Sequence, residues 1–203
     1  MKYPNLSYEL NLWSQGYQNV CGIDEVGRGA WAGPLFAAAV IFPPDIKIKG
    51  INDSKKLTPE KREELALEIK EKALSFAVGS VDPAFVDEAG IVKATDEAMK
   101  RSVEGLNVSA DFVLVDYFKL SFFPEDRHLP IKFGDSISKT IAAASILAKV
   151  ARDKFMEELA QTYPGYGFES HVGYGTKMHQ EKIRELGLSK IHRISFVPEY
   201  LLS

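Results

Sequence analysis

The 203-residue sequence predicts a mixed α/β domain. Short apolar stretches rich in β-branched and aromatic residues recur as strand candidates. Longer stretches carry helix start and stop signals. Two strand candidates precede the first clear helix, so a regular βαβ repeat is not expected. In chain order, strands are expected over residues 19–24 and 35–42. A helix follows from Thr58-Pro59 to Ala73, where Thr58 can cap, Pro59 takes the first helical position and glutamates suit the positive end of the dipole. A strand over 74–81 and a helix over 91–106 come next, then a strand over 112–116 and a short one over 131–133. The longest helix is expected over 138–161, and a last one over 176–186, stopped by Gly187.

Composition narrows the class. With 45% hydrophobic and 26% charged residues, the chain can bury a sizeable core, and no repeat or low-complexity linker divides it. Its one cysteine, Cys21, excludes an intramolecular disulfide and a Cys-rich zinc module. No stretch reaches the roughly 18 apolar residues of a membrane span. The first 15 residues lack a basic head followed by an apolar run, so a cytoplasmic location is expected. Lys+Arg 25 against Asp+Glu 28 leaves a net charge of −3, without the overall basic signature of a nucleic-acid binder. A local patch would still suffice. The alternating Lys and Glu of residues 57–71 read as the solvated side of an amphipathic helix.

Chemistry is concentrated in the carboxylates. Gly22-Ile23-Asp24-Glu25-Val26-Gly27-Arg28-Gly29 places two acids at the end of an apolar strand, followed by a Gly-Arg-Gly turn. Adjacent strand residues point to opposite faces, so Asp24 and Glu25 can share a ligand only where the strand ends and the backbone bends. A polar strand end entering a turn would look the same. Another apolar strand, Phe112-Val113-Leu114-Val115-Asp116, also ends in an acid, and function in α/β sheets gathers at strand ends. Asp135 precedes the longest helix, where a capping role would equally explain it. Asp153 lies eighteen residues further, roughly 27 Å along a continuous helix, so both cannot join one compact site. Carboxylates without His or Cys partners suit Mg²⁺ or Mn²⁺ rather than zinc. Two such ions roughly 4 Å apart can activate water and stabilise a leaving oxygen in phosphodiester hydrolysis.

These segments resemble the type 2 ribonuclease H (ribonuclease HII) family. The resemblance rests on Gly22–Pro34, Asp53-Ser54-Lys55-Lys56-Leu57, Val115-Asp116, Gly134-Asp135-Ser136, Ala142–Asp153, Tyr163–Gly167, His171–Thr176 and His192-Arg193, seven motifs and a closing pair in order over nearly the whole chain. It implies a ribonuclease H-like fold: a five-stranded mixed sheet flanked by helices, with a small C-terminal helical part. The first and fourth strands would be neighbours, setting Asp24 beside Asp116. The whole chain would be one catalytic domain, with residues from about 160 to 203 contacting substrate. The implied catalytic acids are Asp24, Glu25, Asp116 and Asp135, the first three as metal ligands.

The implied activity is cleavage of RNA in RNA–DNA hybrids and on the 5′ side of single ribonucleotides embedded in duplex DNA. The implied products carry 5′-phosphate and 3′-hydroxyl ends. The backbone of Gly27, Arg28 and Gly29 would read the 2′-hydroxyl, the group that distinguishes RNA from DNA. Tyr174 would stack at the RNA-to-DNA step. Ser54, Lys55 and Lys149 are candidate phosphate contacts, although Lys149 could equally snorkel to solvent. His171 and His192 are expected to be structural. Ala30-Trp31 stands where smaller or Pro-containing pairs are common in the family, so the wall beside the Gly-Arg-Gly loop is expected to differ. The sequence ends soon after Pro198, so the longer tail of some members, with a clamp-binding motif, is not expected. The sister HIII type is disfavoured by the short stretch before the first strand and by Gly27-Arg28-Gly29. A monomer is expected. A catalytically idle hybrid-binding protein would not need all four acids, and a DNA nuclease would not need a loop that reads a 2′-hydroxyl.

Overall fold

The computed structural model describes residues 3–202. The elements run α1 (Ser7–Ser14), β1 (Val20–Val26), β2 (Leu35–Ile41), α2 (Pro59–Lys72), β3 (Ser75–Val81), α3 (Pro83–Ala89), α4 (Ile91–Glu104), β4 (Phe112–Asp116), β5 (His128–Ile131), α5 (Lys139–Thr162), α6 (Phe168–His171) and α7 (Lys177–Leu186). The strands form one mixed sheet in the order β3-β2-β1-β4-β5. β2 is antiparallel to both β1 and β3, while β4 runs parallel to β1 and to β5. The expected five-stranded mixed sheet, with its first and fourth strands adjacent, is present.

Burial explains the composition of β2. All seven residues of Leu35–Ile41 are buried, because helices cover both faces of the sheet. Ala38 and Val40 pack with Leu65 and Ile69 of α2 and the Ala142–Ala144 run of α5. Ala37, Ala39 and Ile41 face the other way, onto Ala94, Ala98 and Met99 of α4. The three alanines of α5 are fully buried, and small side chains there let the helix lie close to the sheet. Gly22 of β1 shares in this contact: a Cβ there would collide with the backbone of Thr140 and Ile141. β1 and α5, which carry much of the site, are therefore locked together.

The expected Thr58 cap works as read: its hydroxyl accepts from the Lys61 N–H at 3.3 Å with Pro59 behind it. The longest helix is capped instead by Ser138, whose hydroxyl accepts from Ile141 N–H at 3.2 Å. Three helices escaped the sequence reading: α1, α3 and the four-residue α6, which no side chain caps. α3 had an available signal in Asp82-Pro83, where the Asp82 carboxylate accepts from Phe85 N–H at 2.8 Å. α1 had only a weak one: its N-cap Leu6 offers no side-chain bond, and Asn5 Oδ1 accepts from Ser7 N–H at 2.8 Å. Its fully buried Glu9 accepts from Ser138 Oγ at 2.6 Å and from the N–H and hydroxyl of Thr140 at 3.0 and 2.7 Å. That carboxylate anchors the first turn of α5.

The last strand needs correction. It occupies His128–Ile131 rather than 131–133, because Phe133 adopts φ 59°, ψ 39°, a left-handed conformation that ends any strand. Asp135 consequently sits in a short 3-10 turn over Gly134–Ser136, and the cap of α5 is Ser138. β1 also runs past Asp24: the ladder with β2 continues through Glu25–Ala37 and Val26–Phe36, whereas pairing with β4 stops at Ile23–Val115. The two acids thus project beyond one ladder while still held by the other.

Candidate active site

Four acids from three chain segments, the end of β1, the end of β4 and the turn before α5, meet at the C-terminal ends of β1 and β4. Asp24 and Asp135 are buried, and Glu25 and Asp116 are half-buried. Asp24 follows the last β1–β4 pair, one residue beyond Ile23, and Asp116 follows Val115 in the same register. Asp24 Oδ1 accepts from Glu25 N–H at 2.8 Å, and Asp116 Oδ1 accepts from Gly134 N–H at 2.6 Å. The second bond ties the residue before Asp135 to Asp116, bringing the turn after β5 onto the end of β4.

The electrostatics are those of uncompensated negative charge. Burial, then Glu25 and Asp116, push the Asp24 carboxyl well above the usual carboxylate range. Glu25 is raised by burial against the opposing pull of Arg28, whose guanidinium lies 3.7 Å away. Burial raises Asp116 and Asp135 as well, in Asp135 reinforced by Asp53 and Asp116. Burial alone would lower the Lys55 ammonium, but Asp135, Asp24, Asp53 and Asp116 together raise it. Lys55 is drawn to several of these acids at once.

Two adjoining cavities open on the cluster. One, of about 350 Å³, is lined by Asp24, Glu25, Val26, Ser54, Lys55, Ser145, Lys149 and Tyr174. The other, of about 340 Å³, is lined by Glu25, Arg28, Asp116, Tyr117, Phe118, Lys132 and Phe133. Glu25 belongs to both. The sequence-expected acids Asp24, Glu25 and Asp116 and the expected contacts Arg28, Ser54, Lys55, Lys149 and Tyr174 therefore share one depression, with Asp135 buried against it. Gly27 takes φ +89°, and a Cβ there would strike the Arg152 guanidinium, so the loop needs this glycine on both counts. Gly29 is exposed at the loop tip.

A model of one family, Ribonuclease HII, matches residues 21–198. The chain belongs to the ribonuclease HII family. Among its relatives, the ribonuclease HII of Ruminiclostridium cellulolyticum is 47% identical over 196 residues, covering 97% of this chain and 76% of that one. That of Dehalococcoides mccartyi is 49% identical, covering 96% and 93%. The ribonuclease H2 of Pyrococcus horikoshii superposes with a TM-score of 0.71 at 25% identity, over 87% of this chain and 93% of that one. The Archaeoglobus fulgidus ribonuclease HII, solved in complex with PCNA, gives 0.73 at 26%, over 89% and 96%. As a ribonuclease HII, this protein is a metal-dependent endoribonuclease with the ribonuclease H-like fold.

The donor set fits a hard divalent cation: it is all oxygen, already crowded with negative charge, and Glu25 Oε2 is buried without a hydrogen-bond partner. Among the described residues, no three His, Cys, Asp or Glu side chains converge tightly enough to cage a metal unaided. Ions here would be completed by water and substrate oxygens, as suits Mg²⁺ or Mn²⁺ in a phosphoryl site.

Around the acids, the ribonuclease HII motifs do mechanical work that the sequence did not disclose. The fully buried Arg193 donates from Nε to Gly33 C=O at 2.9 Å and from Nη1 to Gly27 C=O at 2.7 Å and Arg28 C=O at 3.3 Å. Arg152 likewise donates to Pro34 C=O at 3.0 Å and Ala32 C=O at 3.2 Å. Trp31 exchanges backbone bonds with Gly173 and Arg193, and its ring covers Gly175 and nears His179. It thus joins the Gly27–Gly29 loop to the loop bearing Tyr174. Lys149 is not free: its ammonium lies 2.7 Å from Asp153, which also faces Arg62 at 3.8 Å. Asp153 is thus engaged by two cations, one from α5 and one from α2.

The histidines are structural and chained. Ser189 N–H donates to His192 Nδ1 at 2.8 Å, His192 Nε2 meets His179 Nε2 at 3.1 Å, and His179 Nδ1 lies 3.0 Å from Tyr174 C=O. These bonds are satisfied together when His192 carries its proton on Nε2 and His179 on Nδ1. His179, which the sequence reading passed over, thus holds the backbone of Tyr174. Burial pushes both His179 and His192 down to about 4. Free histidines titrate near 6.5, so below that pH the unfolded chain takes up protons that the folded cluster refuses. The stability this cluster contributes is present above about pH 6.5 and is lost as pH falls towards about 4, on the order of 3 kcal/mol per ring. The raised carboxyls of the active site act in the opposite sense, so the rings must be read individually. Histidine NMR should find both neutral at pH 5.5; titration of either near 6.5 would contradict the chain.

Proposed function

We propose that this ribonuclease HII hydrolyses the RNA strand of RNA–DNA hybrids and cuts on the 5′ side of single ribonucleotides embedded in duplex DNA, leaving 5′-phosphate and 3′-hydroxyl ends. The observation that carries the reading is that the acids, Arg28 of the Gly27-Arg28-Gly29 loop and Tyr174 gather around two adjoining cavities that share Glu25. Asp24, Glu25 and Asp116 would hold a pair of divalent cations, Mg²⁺ or Mn²⁺, with Asp135 helping to hold the second ion or the attacking water. The pair would supply charge neutralisation, an activated water and stabilisation of the leaving 3′ oxygen.

The chain's own residues then have distinct tasks. Asp24, fixed by Glu25 N–H, and Asp116, fixed by Gly134 N–H, present oxygens whose positions do not have to reorganise. The Gly27–Gly29 backbone, pinned from beneath by Arg193, approaches the ribose and selects for a 2′-hydroxyl. Tyr174 packs at the RNA-to-DNA step, with the Arg152 guanidinium 5.5 Å from its ring. Ser54 and Lys55 meet phosphate oxygens, which gives register without sequence choice. Lys149 joins them only by leaving Asp153.

The test is cleavage of duplex DNA carrying one ribonucleotide, with Mg²⁺, Mn²⁺ or EDTA, beside an all-DNA control and a long hybrid. A metal-dependent cut at the 5′ side of the ribonucleotide with the control intact is expected. Cutting of the hybrid alone would remove the selective roles of Arg28 and Tyr174. Cutting of the all-DNA control would overturn the 2′-hydroxyl reading.

A further inference from the structure

Asp116 is flanked by two aromatic residues in a backbone conformation that aromatic residues rarely adopt. Tyr117 has φ 55° and Phe133 φ 59°, both in the left-handed region that glycine occupies freely. Tyr117 forms the centre of a tight turn closed by Phe118 N–H on Asp116 C=O at 2.6 Å, while its own N–H bonds Ile131 C=O at 3.0 Å. Phe133 immediately precedes Gly134, whose N–H holds the Asp116 carboxylate. The turns serve Asp116, and a glycine would make either one at lower strain. The side chains need another reason. Neither is packed away: Tyr117 is 69% and Phe133 65% exposed. Both line the 340 Å³ cavity that also holds Glu25, Arg28 and Asp116, and the Lys132 ammonium sits 5.3 Å from the Phe133 ring. Strained, exposed aromatics at the rim of an active site suit the planar faces of nucleobases, which stack on such rings whatever their sequence.

We propose that Tyr117 and Phe133 form an aromatic platform that stacks a nucleobase of the substrate strand next to the scissile phosphate. The inference rests on the nucleic-acid substrate argued above and assigns a subsite within it. The platform would add affinity without sequence preference, beside the phosphate contacts of Lys55.

The experiment separates kcat from KM for Tyr117→Gly, Phe133→Gly and Tyr117→Phe on a duplex bearing one ribonucleotide. It is repeated on substrates with an abasic site at each position flanking the cut. Because glycine prefers these backbone angles, both glycine variants should melt no lower than the parent. Their KM should rise about tenfold, with the loss in KM rather than kcat, while Tyr117→Phe stays near the parent. An abasic site at one or two flanking positions should raise the parent's KM similarly and add little to the glycine variants. Glycine variants with parental KM on every substrate, or abasic losses fully additive to theirs, would overturn the platform. If the parent neither cuts nor binds ribonucleotide-bearing duplexes, it is the functional reading that fails.

Discussion

Asp24→Asn is expected to abolish turnover, by at least about 10³-fold in kcat, equivalent to about 4 kcal/mol of transition-state stabilisation. The amide keeps the shape of the carboxylate and can still accept the Glu25 N–H bond of 2.8 Å, so the strand end should not move. What disappears is one formal charge in the cluster that would hold the cations. The same change should leave hybrid binding measurable, since the Gly27–Gly29 loop, Ser54 and Lys55 are untouched. It should also leave the apo protein equally or more stable. Asp24 is buried beside the charges of Glu25 and Asp116, and burial and their repulsion outweigh what the nearby cations offer it. A dead enzyme with an unchanged or higher melting temperature is the signature of a site strained for function. Cleavage, fluorescence anisotropy on a hybrid and a thermal melt check the three parts. Metal-dependent cleavage above a tenth of the parental rate would sink the assignment.

Arg193→Gln should produce the largest loss that couples stability to substrate reading. Its guanidinium is fully buried and is pushed down to about 10 by burial and then by Arg152, so the fold keeps this cation at a cost. In return it satisfies the carbonyls of Gly27, Arg28 and Gly33 at once, as a rigid fork can and a point charge cannot. Removing it strands buried acceptors at about 1–3 kcal/mol each, so a total on the order of 3 kcal/mol or more is expected in denaturant unfolding. The loop it releases bears the proposed 2′-hydroxyl contact, so discrimination between ribonucleotide and all-DNA duplexes should fall as KM rises. Arg193→Lys should recover only part of either quantity. A Gln variant within 1 kcal/mol of the parent, with parental discrimination, would show that the loop holds itself.

These two residues mark how far the sequence could be read. Asp24 was found because a strand, an acid pair and a glycine turn are local patterns, and their chemistry follows from residue type. Asp116 and Asp135 were found in the same way, with the family motifs adding what each does. Arg193 appeared only as half of a motif, and His179 did not appear at all, because nothing in their neighbourhoods signals that they are buried. Their partners lie far along the chain: Arg193 reaches the backbone of Gly27, and His179 meets His192 and holds Tyr174. The short last strand was misplaced because Phe133 looks like a strand residue by type, while its left-handed backbone is imposed by the turn that delivers Gly134 to Asp116.

By itself, the sequence determined the mixed α/β class, the course of the long helices α2, α4 and α5, the acids and the oxygen-only chemistry they can support. Such properties are set by side-chain type and by periodicity within one element, and neither depends on what lies across the fold. The tertiary structure alone decided which acids stand together, because β1 and β4 become neighbours only through the sheet order. It also decided that buried Arg193 anchors the Gly27–Gly29 loop, that buried Arg152 holds Ala32 and Pro34 just after it, and that Tyr117 and Phe133 are turned outward beside Asp116. Those facts depend on contacts between distant segments, where burial and unsatisfied carbonyls select the partner and local propensity has no vote.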